Sequence, residues 1–210
     1  MPISTSNPSL LVLGGEGMLG HKVFQALSGR YPKTKCTLAG SLGDPFYRAI
    51  PLFTGKNAIE KADAMDLPAL KKMLEMEKPD FLINCSGIVK QRHEGKMAIP
   101  SITLNPLLPH LLADGASAWN GRLIHFSTDC VFSGKKGNYS ESDASDAEDL
   151  YGKSKFLGEV SQAANAVTLR TSIIGRELSH FQSLLEWFLA QKGKQVKGFT
   201  KVIYSGVTTN

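Results

Sequence analysis

The chain has 210 residues, which predicts one medium-sized domain, alone or with a small appended lobe. Hydrophobic residues make up 42% of it, enough for a buried core, and no stretch approaches the ~18 consecutive apolar residues of a membrane helix. The net charge of +5 suits anionic small ligands, and no aromatic-interleaved basic stripe or known motif supports nucleic-acid binding.

Residues 1–8 are polar and uncharged and lack the apolar core of a signal peptide, so we predict a disordered tail. Cys36, Cys85 and Cys130 show neither C-x-x-C nor metal-binding spacing. Without an export signal, we expect free thiols in a reducing cytoplasm, and no metal site.

The first motif is a strand that runs directly into a glycine-rich turn and then a helix. Residues 10–13 are apolar, Gly14, Gly17 and Gly20 follow, and apolar residues recur at helical spacing as far as Gly29. Glycines permit a tight turn and the close approach of a pyrophosphate, and the helix N-terminus offers N–H groups to its oxygens. The spacing G-x-x-G-x-x-G differs from the usual G-x-G-x-x-G fingerprint, so a glycine-rich loop without a ligand is the alternative.

Strand-like and helix-like stretches alternate along the rest of the chain. Strands are predicted near 9–13, 34–39, 80–84, 122–127 and 167–171, and helices near 18–28, 67–77, 101–117, 151–164 and 178–191. This alternation predicts an α/β fold, a Rossmann-like doubly wound parallel sheet with helices on both faces. Ligands of such sheets bind beyond the carboxyl ends of the strands, and Gly14, Asn84 and Thr128 all fall at predicted strand ends.

The end of the second strand decides which dinucleotide is favoured. An acid there would bind the ribose 2′-hydroxyl and favour NAD. The predicted strand ends near residue 39, and no acid follows along the chain until Asp44. The sequence therefore favours NADP(H), with NAD(H) as the alternative and Ser41 or Arg48 as candidates to meet the 2′-phosphate.

Two further segments belong to the same predicted edge. Asp66 precedes Leu67-Pro68, an arrangement typical of a capped helix N-terminus. Residues 84–87 place small side chains after a buried strand, which would let a ribose lie against the backbone. A plain tight turn is the alternative for this segment.

A hydroxyl residue and a Tyr–Lys pair form the second motif. Thr128 follows a predicted strand, and Tyr151 and Lys155 stand four residues apart near a helix start, hence on one helical face. A free phenol has a pKa of ~10, and a neighbouring ammonium favours the phenolate. We therefore predict Tyr151 as a general acid/base, Lys155 as the group that tunes it, and Thr128 as a donor to a substrate oxygen. Tyr-x-x-x-Lys is common on helices, so a purely structural Tyr151 is the alternative.

Together these motifs resemble the extended short-chain dehydrogenase/reductase superfamily and, within it, the dTDP-4-dehydrorhamnose reductase family of sugar-nucleotide-binding reductases. The resemblance extends from about Leu10 to Asn210. It rests on the glycine turn, residues 83–87, Asn105, residues 127–134, Tyr151 with Lys155, and residues 169–172.

The resemblance implies reduction of the 4-keto group of a 6-deoxy nucleotide sugar by NAD(P)H, in deoxysugar or surface-polysaccharide synthesis. Thr128 and Tyr151 would donate hydrogen bonds to the ketone oxygen, and Tyr151 would deliver the proton. Lys155 would bind the nicotinamide ribose, and Asn105 would position a water molecule for proton relay. Asn105 bonding only backbone inside its helix is the alternative. The resemblance also places Asp66 beside the adenine, although capping alone explains that residue equally well.

The predicted site residues fall into two sets. Those expected at the cofactor are Gly14, Gly17, Met18, Leu19, Gly20, Ser41, Asp66, Leu67, Cys85, Ser86, Gly87, Tyr151 and Lys155. Those expected at the substrate are Lys90, Thr128, Val131, Phe132 and Trp187, although Trp187 lies in an apolar helical stripe that also suits a core. Family members that dehydrate nucleotide sugars carry Asp-Glu after the Thr, so Asp129-Cys130 here disfavours dehydration.

Family members are longer than this chain and continue past its end. We therefore predict a dinucleotide-binding domain over residues 9–172 and a partial substrate-binding lobe over residues 173–210. Two other functions stay open. One is a catalytically weak, NADP-binding regulatory subunit, like that of methionine adenosyltransferase, and the other is a nucleotide-sugar epimerase. The expected partners are a nucleotide-sugar substrate and, as an option, a second copy of the chain in a homodimer.

Overall fold

A six-stranded parallel sheet forms the centre of the structure, a computed structural model that describes residues 7–89 and 97–210. The strands are β1 (Leu10–Leu13), β2 (Thr34–Thr37), β3 (Ala58–Ile59), β4 (Phe81–Asn84), β5 (Arg122–Ser127), β6 (Ala166–Arg170), β7 (Ile173–Ile174) and β8 (Val207–Thr208). The α-helices are α1 (Met18–Ser28), α2 (Pro45–Arg48), α3 (Leu67–Glu77), α4 (Ala98–Ile102), α5 (Leu108–Ala118), α6 (Leu150–Leu157) and α7 (Leu184–Leu189). A π-helical turn, Thr103–Leu107, joins α4 to α5, and a 3₁₀ turn, Asp129–Val131, follows β5.

The strand order of the large sheet is β3-β2-β1-β4-β5-β6, with every neighbouring pair parallel. The order reverses between β1 and β4, which is where dinucleotides bind in doubly wound sheets. This confirms the predicted Rossmann-like fold. β7 and β8 pair separately in a parallel two-stranded sheet.

Helices cover both faces of the sheet because its central strands are apolar on both sides. Along β1, Leu11 and Leu13 enter one core cluster, and Leu10 and Val12 enter the other. The first cluster includes side chains of α3 and α5, and the second includes side chains of α1 and α2, among them the fully buried Phe24. A strand buried on both faces is typical of parallel sheets.

Two of the predicted helices are shorter than expected. The predicted helix 151–164 ends at Leu157, and a Cβ at the next residue, Gly158, would lie 2.0 Å from Asn105 O. The predicted helix 178–191 is reduced to α7, because His180 and Phe181 adopt positive φ angles of 67° and 49°, outside the α-helical region.

No helix formed by the described residues combines the length and the apolar character needed to cross a membrane. No disulfide links the three cysteines. Within residues 7–89 and 97–210, no group of three or more acidic, His or Cys side chains is arranged to hold a metal ion.

Candidate functional site

The carboxyl ends of β1 and β4 meet where the strand order reverses. Cys85 N donates to Leu13 O at 3.1 Å, which joins the two strand ends directly. Gly14 turns the chain with a φ of 75°, and a Cβ there would lie 2.8 Å from Ser86 Oγ. Glycine is therefore required at position 14 for both conformation and space. The structure brings the glycine turn and residues 84–87 into contact at this edge.

The helix α1 starts directly behind the turn. Gly17 N donates to Gly14 O at 3.0 Å, and a Cβ at Gly20 would lie 1.9 Å from the same oxygen, so the helix packs against the turn only because residue 20 is glycine. The N–H groups of Met18, Leu19 and Gly20 have no acceptor within the helix, and the positive end of the helix dipole lies there. This cradle of backbone fits a pyrophosphate.

Asn105 is buried in the π-helical turn and holds the segment after β4 in place. Its Oδ1 accepts from Ile88 N at 3.0 Å, and its Nδ2 donates to Ile88 O at 3.3 Å and to Ser154 Oγ at 3.0 Å. A Cβ at Gly87 would lie 3.2 Å from Asn105 Oδ1. Asn105 thus links residues 87–88 to α6, and π-helical turns are frequent at functional sites.

Lys155 is buried on α6, and its ammonium group lies under the end of β5. Its Nζ donates to Phe126 O at 2.7 Å. Burial lowers the pKa of Lys155 to about 8, while the Glu159 carboxylate acts in the opposite direction. A Cβ on Gly87 would lie 3.9 Å from the Nζ atom, so the lysine borders the segment after β4. A cation at this depth suits a bound anion or a ribose hydroxyl.

Tyr151 is half-buried on the first turn of α6. Burial raises the pKa of its phenol to about 12, against the effect of a hydrogen bond with the Thr128 hydroxyl. Thr128 is itself buried, and its Oγ1 accepts from Cys130 N at 3.1 Å and donates to Asp129 Oδ1 at 3.2 Å. At neutral pH the phenol is protonated, hence able to act as an acid. The predicted tuning by Lys155 stays a prediction.

A partly buried ion pair near Lys155 was not foreseen from the sequence. Arg170, at the end of β6, donates to Glu159 through Nε at 2.9 Å and through Nη2 at 2.8 Å. Ser127 Oγ donates to the same carboxylate at 2.8 Å. The charge of this carboxylate partly offsets the effect of burial, which lowers the pKa of Lys155. The pair joins β5, β6 and the chain after α6. A Leu-Arg dipeptide at a strand end and a Glu four residues after Lys155 were the available signals.

His125 lies fully buried on β5, one strand residue before Phe126. Its Nδ1 faces Asn84 Nδ2 at 3.1 Å, and its Nε2 has no partner within the described part of the chain. Burial, helped by the nearby Lys155 charge, lowers the pKa of His125 to about 3. The imidazole is therefore neutral, with Nδ1 accepting from the Asn84 amide.

Ser41, which follows β2, and Asp66, which precedes α3, make contacts within the protein. Ser41 Oγ donates to Glu60 Oε2 at 2.6 Å. Asp66 caps α3, its Oδ1 accepting from Ala69 N at 3.0 Å, and Leu67 is the first residue of that helix. The predicted cap is present, and the adenine contact of Asp66 stays a prediction.

The predicted substrate residues lie in different surroundings. Lys90 falls outside the described residues. Val131 is completely buried, so its side chain supports the 3₁₀ turn and offers no surface to a ligand. Phe132 stacks on Tyr139 with ring centroids 4.3 Å apart. Trp187 is 45% exposed on α7, so it does not belong to the buried core.

The family model described as the RmlD substrate binding domain matches residues 8–196. Methionine adenosyltransferase 2 subunit beta of Danio rerio is 30% identical over 178 residues, covering 80% of this chain and 49% of the relative. The dTDP-4-dehydrorhamnose reductase of Burkholderia thailandensis is 26% identical over 189 residues, covering 88% and 52%. The chain thus spans about half the length of these curated relatives.

Solved structures show the same fold at lower identity. The Bordetella bronchiseptica enzyme WbmG in complex with NAD superposes with a TM-score of 0.73 and 17% identity, covering 93% of this chain and 63% of its own. The dTDP-4-dehydrorhamnose reductase of Bacillus anthracis in complex with NADP gives 0.68 and 18%, covering 90% and 61%.

Proposed function

Because the chain belongs to the RmlD substrate binding domain family, within the extended short-chain dehydrogenase/reductases, we propose that it is an NAD(P)H-dependent reductase of a 4-keto-6-deoxy nucleotide sugar. The arrangement of Thr128, Tyr151 and Lys155 carries this proposal. A protonated phenol, on whose pKa the buried Thr128 hydroxyl acts, stands one helical turn from a buried ammonium. These groups lie at the edge of the sheet that also carries the glycine turn.

The cofactor would be held by this chain's backbone more than by its side chains. The N–H groups at the start of α1 would bind the pyrophosphate, and residues 85–87 would lie along the ribose. Lys155 would donate to the nicotinamide ribose hydroxyls. The bound dinucleotide supplies the hydride in this chemistry.

Reduction of a ketone requires one proton at the oxygen, and Tyr151 is the proposed source. Thr128 and Tyr151 would donate hydrogen bonds to the ketone oxygen, where negative charge develops during reduction. Tyr151 would then transfer its phenolic proton to that oxygen, and the phenolate would regain a proton from solvent. The ammonium of Lys155 would stabilise the phenolate in the interval.

The test is oxidation of NADH and NADPH, followed by absorbance, with a panel of dTDP-, UDP- and GDP-4-keto-6-deoxy sugars. We expect turnover with one sugar, and a loss of about 10²–10⁴-fold in kcat for Tyr151→Phe with little change in dinucleotide affinity. Tyr31→Phe, in the segment between α1 and β2, is the matched control and should retain full activity. Equal activity of Tyr151→Phe and wild type would contradict the assignment.

A regulatory subunit is the second candidate, favoured by the 30% identity to methionine adenosyltransferase 2 subunit beta. In that case the dinucleotide would bind without turnover of any sugar. The chain would instead form a complex with a methionine adenosyltransferase catalytic subunit, detectable by size-exclusion chromatography of the mixture. Turnover of one sugar by the chain alone would leave this candidate without support.

We propose two features of organisation beside the activity. Residues 9–172 would bind the dinucleotide, and residues 173–210, which contain the separate β7–β8 sheet, would belong to the substrate lobe. A homodimer would form through the exposed apolar side chains around α5 and α6. Leu111 is 43% and Leu157 64% exposed, and His110 Nε2 lies 2.9 Å from Leu157 O, which connects the two helices.

A further inference from the structure

A carboxylate from the glycine turn occupies the end of β2. Glu16 Oε2 accepts from Ala39 N at 3.1 Å and from the Tyr47 hydroxyl through a short hydrogen bond. Tyr47 OH in turn accepts from Gly40 N at 3.0 Å. Glu16 is 23 residues earlier in the chain than Ala39, so the acid that the strand itself lacks is supplied by the turn.

Two more carboxylates bind the segment that follows β2. Asp44 Oδ2 accepts from Ser41 N at 2.9 Å, and Glu60 Oε2 accepts from Ser41 Oγ at 2.6 Å and from Leu42 N at 2.7 Å. Ser41, the candidate to meet a 2′-phosphate, therefore already donates its hydroxyl to an acid. The hydrogen bonds from Ser41 and Leu42 lower the pKa of Glu60, and the positive charge of Lys61 acts in the same direction.

The carboxylates near the end of β2 also affect the pKa of Tyr47. Burial, the hydrogen bond to Glu16 and the charges of Glu16 and Asp44 raise the pKa of Tyr47 to about 12. Glu16 also raises the pKa of the buried Cys36 thiol, although burial is the larger cause. The Glu16 carboxylate therefore acts electrostatically on two side chains near the end of β2.

In doubly wound sheets, the adenosine ribose of a bound dinucleotide lies near the end of the second strand, which is β2 here. An acid there accepts a hydrogen bond from the 2′-hydroxyl of NAD, whereas the 2′-phosphate of NADP requires a cation such as Arg. Among the described residues, Glu16 Oε1 accepts no hydrogen bond, so one carboxylate oxygen is left for a ligand. Arg48 is exposed at the end of α2.

We propose that this chain binds NAD(H) in preference to NADP(H), with Glu16 as the residue that sets the preference. Glu16 accepts from the ribose 2′-hydroxyl, and together with Asp44 and Glu60 it repels a 2′-phosphate. The inference rests on the proposed dinucleotide site at the glycine turn. Binding of NAD(P)(H) is common to this proposal and to the sequence-based expectation. The two differ in the preferred dinucleotide, because the expectation of NADP(H) considered only acids that follow β2 along the chain.

The test is direct binding of NADH and NADPH to the full chain, measured by calorimetry and by the fluorescence of the reduced nicotinamide. We expect the Kd for NADPH to exceed that for NADH by about tenfold or more, since a dianion near three carboxylates is repelled even at surface dielectric. Glu16→Gln, which keeps the shape and a hydrogen-bond acceptor, should bring the two Kd values to within about threefold of each other.

Two further variants keep the result interpretable. Glu75→Gln, on the exposed face of α3, removes the carboxylate of an exposed ion pair with Lys71 and should leave both Kd values unchanged. Ser41→Arg places a cation beside the ribose and should lower the Kd for NADPH alone. Thermal unfolding of each variant shows whether it is folded.

The outcomes separate the two proposals. Tighter binding of NADPH by wild type, or an unchanged ratio in Glu16→Gln, would overturn the role of Glu16 and leave the dinucleotide site standing. Failure of folded wild type to bind either nucleotide would overturn both proposals.

Discussion

Replacement of Glu159 by Gln should destabilise the protein by about 2–3 kcal/mol. The Glu159 carboxylate is 9% exposed and accepts two hydrogen bonds from Arg170, whose side chain is 23% exposed. Removing one partner of a fully buried pair costs about 3–5 kcal/mol because the other charge stays uncompensated. The partial exposure of Arg170 lowers that figure, and the Gln side chain can still accept from Ser127 and one guanidinium N–H.

Urea unfolding followed by circular dichroism measures this effect. A loss of this size corresponds to a fall in Tm of roughly 4–12 °C for a chain of this length. Glu148→Gln is the matched control: it removes the carboxylate of an exposed ion pair with Lys135, where we expect a change within about 0.5 kcal/mol. A double-mutant cycle with Arg170→Met should give a coupling energy of about 1–3 kcal/mol.

The same substitution has a second readout at the proposed active site. The Glu159 charge raises the pKa of Lys155, so its removal should shift the Lys155 titration to lower pH. Two results would refute the reasoning. One is a stability loss in Glu159→Gln as small as that in Glu148→Gln, and the other is a Lys155 titration that does not move.

Three further expectations follow from the site and the surface. Gly20→Ala should abolish dinucleotide binding and lower Tm, because the added Cβ would lie 1.9 Å from Gly14 O. Gly55→Ala is the control, since no atom lies within 4 Å of its added methyl group. It should change neither the affinity measured by calorimetry nor the Tm measured by thermal melts. Dinucleotide affinity should fall as pH rises through about 8, because Lys155 loses its proton and its positive charge there; a flat profile from pH 7 to 9.5 in binding titrations would contradict this. Leu111→Arg should convert the proposed homodimer to monomer in light scattering, and an unchanged mass would exclude that interface.

The fold was largely predictable because it depends on local patterns. The strand, glycine turn and helix at residues 10–28 follow from an apolar run, three glycines and helical periodicity, and α3 follows from Asp66 and Pro68 at its start. The two-residue strand β3 and the four-residue α2 are too short to show a period, and they were not predicted. Their positions depend on pairing with β2 and on packing against the second core cluster.

Site residues that share one helix could be predicted from the sequence. Contacts between residues of two different segments could not. Tyr151 and Lys155 share α6, so their spacing alone places them on one face. Glu16 meets Ala39 across 23 residues, and Arg170 meets Glu159 across 11, and neither contact leaves a periodic trace in the sequence. For this reason the acid at the end of β2 was sought along the strand and was not found there.

The π-helical turn at Thr103–Leu107 gives the segment from α4 to α5 one residue more than a regular helix would need. One extra residue offsets the two ends of the segment by about 100° around the helix axis. In the structure α4 contacts α6, while α5 contacts β4 and β5. Deleting a single residue from the turn would bring the ends into phase. Asn105 would swing away from Ile88 and Ser154, so the spacing of this segment should tolerate substitution better than deletion.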